Sequence, residues 1–134
     1  MANDQSDEIR CVRPRILIVE DERMIAAFIE DLVQDLGCVV SATASTGSSA
    51  MRELAKHDFD AVLLDVGLDG ERKSDIADLL LETATPFAFI TGYDDFEPRH
   101  MDVPLLRKPF STQQFRALLD QLVGLDQSKT AGGG

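Results

Sequence analysis

A chain of 134 residues, 44% hydrophobic and 28% charged, fits one globular domain that buries a core without disulfide or metal staples. Twenty-four acidic residues against 13 basic ones, a formal charge of −11, argue against a nucleic-acid partner, because phosphate binding needs a basic face. No apolar run approaches the ~20 residues that span a bilayer, and the polar, acidic start from Met1 to Arg10 is no signal peptide, so a cytoplasmic location is expected. Cys11 and Cys38 match no metal or redox spacing and are expected as reduced thiols.

Along the chain, residues 1–13 lack apolar periodicity and are expected as a disordered lead-in, with a domain over 14–125 and a flexible tail over 126–134. Arg15-Ile16-Leu17-Ile18-Val19 is a short β-branched run ending in acids, which predicts a buried strand. Met24, Ile25, Phe28, Ile29, Leu32, Val33 and Leu36 then recur at helical spacing, and Gly37 is placed to stop that helix. Val39 to Ala44 predicts a second strand. Thr46-Gly47-Ser48-Ser49 supplies caps for a helix through about Lys56. Ala61-Val62-Leu63-Leu64-Asp65 predicts a third buried strand, again ending in an acid. A helix from about Lys73 to Glu82 carries Ile76, Leu79 and Leu80 inward. Phe87-Ala88-Phe89-Ile90 predicts a fourth strand ending at Thr91, and Leu105-Leu106-Arg107 a short fifth between Pro104 and Pro109. Ser111 and Gln114 form a capping box before a last helix with Phe115, Leu118, Leu119 and Leu122 on one face. From Tyr93 to Val103 the apolar stripe is missing and Pro98 interrupts. A loop or single turn is expected there rather than a full helix.

Continuous apolar strands alternating with amphipathic helices predict an α/β fold: a parallel five-stranded sheet with helices on both faces. The flavodoxin-like order 2-1-3-4-5 is the natural class by analogy. In such a sheet all strand C-termini share one edge, where ligands bind. This chain places Glu20-Asp21, Asp65, Thr91-Gly92 and Lys108-Pro109 there. Packed carboxylates repel, and a divalent cation resolves the conflict; hard oxygen ligands suit Mg²⁺. A cation beside a free carboxylate makes a phosphoryl acceptor, and a hydroxyl and an ammonium can hold the phosphoryl oxygens.

The order of Glu20-Asp21, Asp65, Thr91 and Lys108-Pro109 along five α/β units resembles the response-regulator receiver family over about Pro14 to Leu125. The resemblance implies Asp65 as phosphoacceptor and Glu20 and Asp21 as the acid pair, with Asp21 a direct ligand of Mg²⁺. It also implies the Gly67 backbone carbonyl as a further ligand and Thr91 as the hydroxyl that bonds the phosphoryl group and couples it to a loop shift. Lys108 is implied as the ion-pair partner of Asp65, in a cis Lys108-Pro109 peptide. Two departures stand out. Leu105 occupies the position where most receivers carry a switch aromatic, and the fourth helix is expected reduced or absent. Pro86-Phe87-Ala88-Phe89-Ile90-Thr91-Gly92-Tyr93 resembles the FATGUY receiver subgroup, with Ile90 replacing an Ala and Asp94 standing where a Gly is usual, which makes Thr91 and Tyr93 the switch candidates. The Met-Pro common after the acceptor is also missing from Asp65-Val66-Gly67-Leu68-Asp69-Gly70-Glu71. The implied partners are a sensor histidine kinase of the HWE or HisKA2 type, a histidine phosphotransferase or a downstream protein. A monomer is expected, with no transcriptional output in this chain and no membrane contact.

Each residue has a plainer reading taken alone. Glu20-Asp21-Glu22 would be an acidic helix start favoured by the macrodipole. Thr91 would be a strand residue or cap, Lys108 a solvated lysine and Tyr93 an edge-of-core ring. Only their joint order gives the site. His57 and His100 have polar sequence neighbours and are expected in polar surroundings, without the helix bundle a phosphorelay histidine needs. Asp69 and Glu71 are expected as solvated loop acids, and Gly67 and Gly70 as loop geometry. Two other functions compete. A Mg²⁺-dependent phosphohydrolase with an aspartyl nucleophile would want a second aspartate two residues after the first, where Gly67 stands. A degenerate receiver would only bind partners.

Overall fold

The structure, a computed structural model, describes residues 13–65, 70–92, 100 and 102–125. The expected lead-in (apart from Arg13) and tail lie outside these residues, as do Gly67, Tyr93 and most of the expected loop between the fourth and fifth strands. Five strands form one parallel sheet: β1 (Arg15–Val19), β2 (Val39–Ala44), β3 (Ala61–Asp65), β4 (Phe87–Thr91) and β5 (Leu105–Arg107). Their spatial order is β2-β1-β3-β4-β5, the order expected by analogy with the flavodoxin-like class. The helices are α1 (Arg23–Asp35), α2 (Gly47–Lys56), α3 (Gly70–Glu82) and α4 (Thr112–Val123). Among the described residues between β4 and β5 there is no α-helix; a turn closes there from the Val103 N–H to the His100 carbonyl at 3.1 Å.

The central strands β1, β3 and β4 are apolar on both faces because helices cover both. Ile16, Ile18, Leu63, Ala88 and Ile90 face α1 and α4, where Ile29, Leu32, Val33, Phe115, Leu118 and Leu119 meet them. Leu17, Val19, Val62, Leu64, Phe87 and Phe89 face α2 and α3, against Ala50, Leu54, Ile76 and Leu80. Burying each large aliphatic of this kind contributes about 1.5–3 kcal/mol. Ile29 is 1% exposed, and truncating it to alanine would cost about 2–5 kcal/mol. The apolar stripe of α1 is wider than its contact: Met24 and Phe28 are 84% and 51% exposed. They lie beside the stripe of Ala26, Ile29 and Val33 that the sheet covers.

Local chemistry sets the helix ends. The Ser49 N–H donates to Thr46 Oγ1 at 3.0 Å, and the Gln114 N–H donates to Ser111 Oγ at 3.0 Å while Gln114 Oε1 accepts from the Ser111 N–H at 2.8 Å. α1 stops at Gly37, whose φ is 83°, with the Cys38 N–H reaching back to the Val33 carbonyl. α3 stops the same way at Ala84, φ 55°, with the Thr85 N–H on the Leu80 carbonyl. α3 begins three residues before the Lys73 that its apolar spacing predicts. Its first turn, Gly-Glu-Arg, carries no apolar residue to register the period.

Candidate phosphoacceptor site

The strand pairing brings the expected residues to one edge. The Glu20 N–H donates to the Ala44 carbonyl at 2.9 Å, so the chain is still tied to β2 where the first acid leaves β1. Asp65 pairs in register with Ile90, one residue before Thr91. The Lys108 N–H donates to the Thr91 carbonyl at 2.7 Å, which extends the β4–β5 pairing past Arg107 and delivers Lys108 to the same edge. The Lys108-Pro109 peptide is cis. After it, Phe110 stacks on Phe115 of α4 at 5.9 Å between ring centres and meets Phe28 of α1 at 6.2 Å.

Carboxylate oxygens of Glu20, Asp21 and Asp65 lie within 4.8 Å of one another. Glu20 and Asp65 are buried, at 2% and 6% exposure, while Asp21 opens to solvent. Lys108 Nζ stands 3.8 Å from Asp65 Oδ1 and 4.0 Å from Glu20 Oε1, an ion-pair separation. One oxygen of Glu20, Oε2, accepts from the Glu22 N–H at 3.1 Å. The other, Oε1, is buried with no hydrogen-bond donor among the described residues. Three carboxylates against one ammonium leave this edge with excess negative charge. Glu20 at this edge has its pKa pushed up to about 8. Burial is the main cause, followed by the hydrogen bond that protonated Glu20 makes to Asp65. The Glu22 N–H and Lys108 pull the other way.

The donor set fits a hard divalent cation: oxygens only, clustered, with one buried acceptor left over. The Gly67 carbonyl and the switch candidate Tyr93 lie outside the described residues. Thr91 is buried at the end of β4, 1% exposed.

One residue escaped the sequence reading. His100 is not in polar surroundings: it is 3% exposed, its ring lies 5.9 Å from that of Phe89, and its Nε2 is 2.9 Å from Asp78 Oδ1 on α3. Its sequence neighbours are polar, and its partner stands 22 positions away, so no local pattern marked it.

A parallel five-stranded α/β domain with an acid cluster and a lysine at its strand ends defines a receiver-type signalling domain. The chain belongs to the response regulator receiver domain family, whose model matches residues 16–120. The phyllosphere-induced regulator PhyR of Methylorubrum extorquens is 34% identical over 119 residues, 84% of this chain. That match takes in 45% of PhyR, so this chain spans less than half the length of that relative. The solution structure of SdrG from Sphingomonas melonis is similar with a TM-score of 0.73 at 35% identity, covering 83% of this chain and 97% of SdrG. A second SdrG structure, described as its BeF3-activated conformation, gives 0.69 at 37% identity over 81% and 96% of the two chains. Receiver domains interact with histidine kinases and with downstream proteins.

Proposed function

We propose that this chain accepts a phosphoryl group from a histidine kinase onto Asp65 and signals by contact with a partner protein, or drains phosphoryl groups from the kinase. The observation that carries this reading is the gathering of Glu20, Asp21 and Asp65 within 4.8 Å, beside Lys108, at the ends of three strands.

Glu20, Asp21, Asp65 and the Gly67 carbonyl would hold Mg²⁺, with Asp21 a direct ligand. Bound there, the cation supplies the positive charge that lets an anionic phosphoryl group approach an anionic carboxylate. Asp65 is the nucleophile. Its carboxylate oxygen forms the new bond to phosphorus while the phosphorus–nitrogen bond of the donor imidazole breaks. Lys108 shifts its pairing from the carboxylates to the phosphoryl oxygens, and the Thr91 hydroxyl donates to another of them. The chain catalyses only its own phosphorylation and dephosphorylation. An HWE or HisKA2 kinase is the proposed donor, on the resemblance of the segment around Thr91 and Tyr93 to the FATGUY subgroup. A histidine phosphotransferase is a further proposed partner, and the cytoplasm the proposed location. Among the described residues no helix is long and apolar enough to cross a membrane.

The test is incubation with acetyl phosphate and Mg²⁺, followed by mass analysis. One labile phosphoryl group is expected on the wild-type chain and none on Asp65→Asn. Continuous phosphate release would show a phosphohydrolase instead. Neither result would show a binding-only domain.

A further inference from the structure

A glycine at the end of a strand has three usual reasons: a left-handed backbone, a neighbour that leaves no room for a Cβ, or a ligand that approaches closely. Neither of the first two applies to Gly92. Its φ lies outside the left-handed region that Gly37 and Gly124 occupy. A Cβ added to it meets nothing within 4 Å beyond its chain neighbours. It is exposed, directly after the buried Thr91 that closes β4.

The strand register places this residue beside the acceptor. Asp65 pairs with Ile90 across β3 and β4, so their side chains project to one face of the sheet. The two-residue period of β4 returns position 92 to that face, offset from Asp65 by one strand spacing, about 4.8 Å, across the sheet. On the other flank of Asp65, toward β1, the carboxylate oxygens of Glu20 and Asp21 lie within 4.8 Å of its own. Glu20 and Asp21 thus crowd the β1 flank of the acceptor, while at position 92 the β4 flank carries no side chain at all.

We propose that Gly92 is a specificity-determining residue: its missing side chain leaves the β4 flank of Asp65 wide enough for a donor that carries its phosphoryl group on an aromatic ring nitrogen, as a phosphohistidine does. This deepens the reading of Asp65 as the phosphoacceptor and rests on it. In-line attack sets the leaving group on the solvent side of phosphorus, opposite the Asp65 oxygen. A planar five-membered ring needs more room there than ammonia does. A side chain at position 92 would project into that room, penalising the ring and sparing the small group.

The experiment compares two small donors on the full chain with Mg²⁺: phosphoramidate, which leaves as ammonia, and monophosphoimidazole, which leaves as imidazole. With each, the bond from the Asp65 oxygen to phosphorus forms and the phosphorus–nitrogen bond breaks. The nitrogen base departs neutral, with the proton the donor already holds. Gly92→Ala should melt no lower than wild type, because neither backbone nor packing needs glycine there. Gly92→Val should slow phosphorylation by monophosphoimidazole about tenfold relative to phosphoramidate, with Gly92→Ala between it and wild type. The ratio of the two rates is the readout, since a distorted acid cluster would slow both donors alike. Equal slowing with both donors, or none with either, overturns the size limit and leaves the acceptor reading standing. So does a Gly92→Ala chain that melts lower than wild type, which would give the glycine a structural reason. A wild-type chain that gains no labile phosphoryl group from either donor overturns the acceptor reading and the role of Gly92 with it.

Discussion

Glu20 is the residue on which the electrostatics of the site converge. One oxygen is satisfied by the Glu22 N–H, and the other is buried without a donor. Its carboxyl is lifted from the usual 4.5 to about 8 by burial and by its neighbour Asp65. A group whose folded pKa is raised stabilises the fold fully below its unfolded pKa and loses that contribution as pH rises through the folded value. In EDTA, urea unfolding should therefore show stability falling between pH 4.5 and about 8. Glu20→Gln should remove most of that slope, and an unaltered slope in the variant would locate the cause elsewhere. Asp21 gives the complementary prediction. Removing one carboxylate relieves repulsion, so Asp21→Asn should melt higher than wild type without metal and respond less to added Mg²⁺. Thermal melts with and without 10-fold steps of MgCl₂ decide it. The placing of Glu20, Asp21, Asp65, Thr91 and Lys108 at or just past strand ends was legible in the sequence, because each follows or closes an apolar run. The raised pKa of Glu20 was not, since it follows from how deeply folding buries the carboxyl and how near it brings Asp65.

At the level of elements, the two matching helix stops offer a clean comparison. α1 ends on Gly37 and α3 on Ala84, both at positive φ. Only glycine takes that conformation without steric cost, so Ala84→Gly should stabilise the protein and Gly37→Ala destabilise it, each by about 1 kcal/mol. Paired denaturation curves with equal slopes check both signs. Ser111→Ala should cost about 1 kcal/mol by leaving the Gln114 N–H without its cap. The sequence revealed the elements well where a period was present. β1, β3 and β4 read as continuous apolar runs because helices cover both faces, and the cap residues carry their own signature. It failed where no period exists. The first turn of α3 has no apolar residue to mark it, and the role of His100 depends on Asp78 and Phe89, which only folding brings near. Met24 and Phe28 share the helical spacing of the buried residues, but spacing alone does not say how wide a stripe the sheet will cover.

For the whole molecule, the acid cluster makes stability and ligation one quantity. A cation bound only by the folded chain adds about 2.7 kcal/mol at a hundredfold excess over its dissociation constant. Mg²⁺ should therefore raise the melting temperature, with a much smaller rise in Asp65→Asn. A wild-type melting temperature indifferent to Mg²⁺ would remove the cation from the proposal. The parallel arrangement has one more consequence. β1 starts at the edge opposite the acids. α4 follows β5, and Leu125, just past it, is buried in the core beside Ile16 and Cys38 near that same opposite edge. Twelve residues of helix and five of strand cover matching distances, about 18 and 17 Å. Both ends of the described fold therefore leave on the far side from Asp65. A dye, an affinity handle or a second domain tethered at either end would leave the doorway to the phosphoacceptor clear.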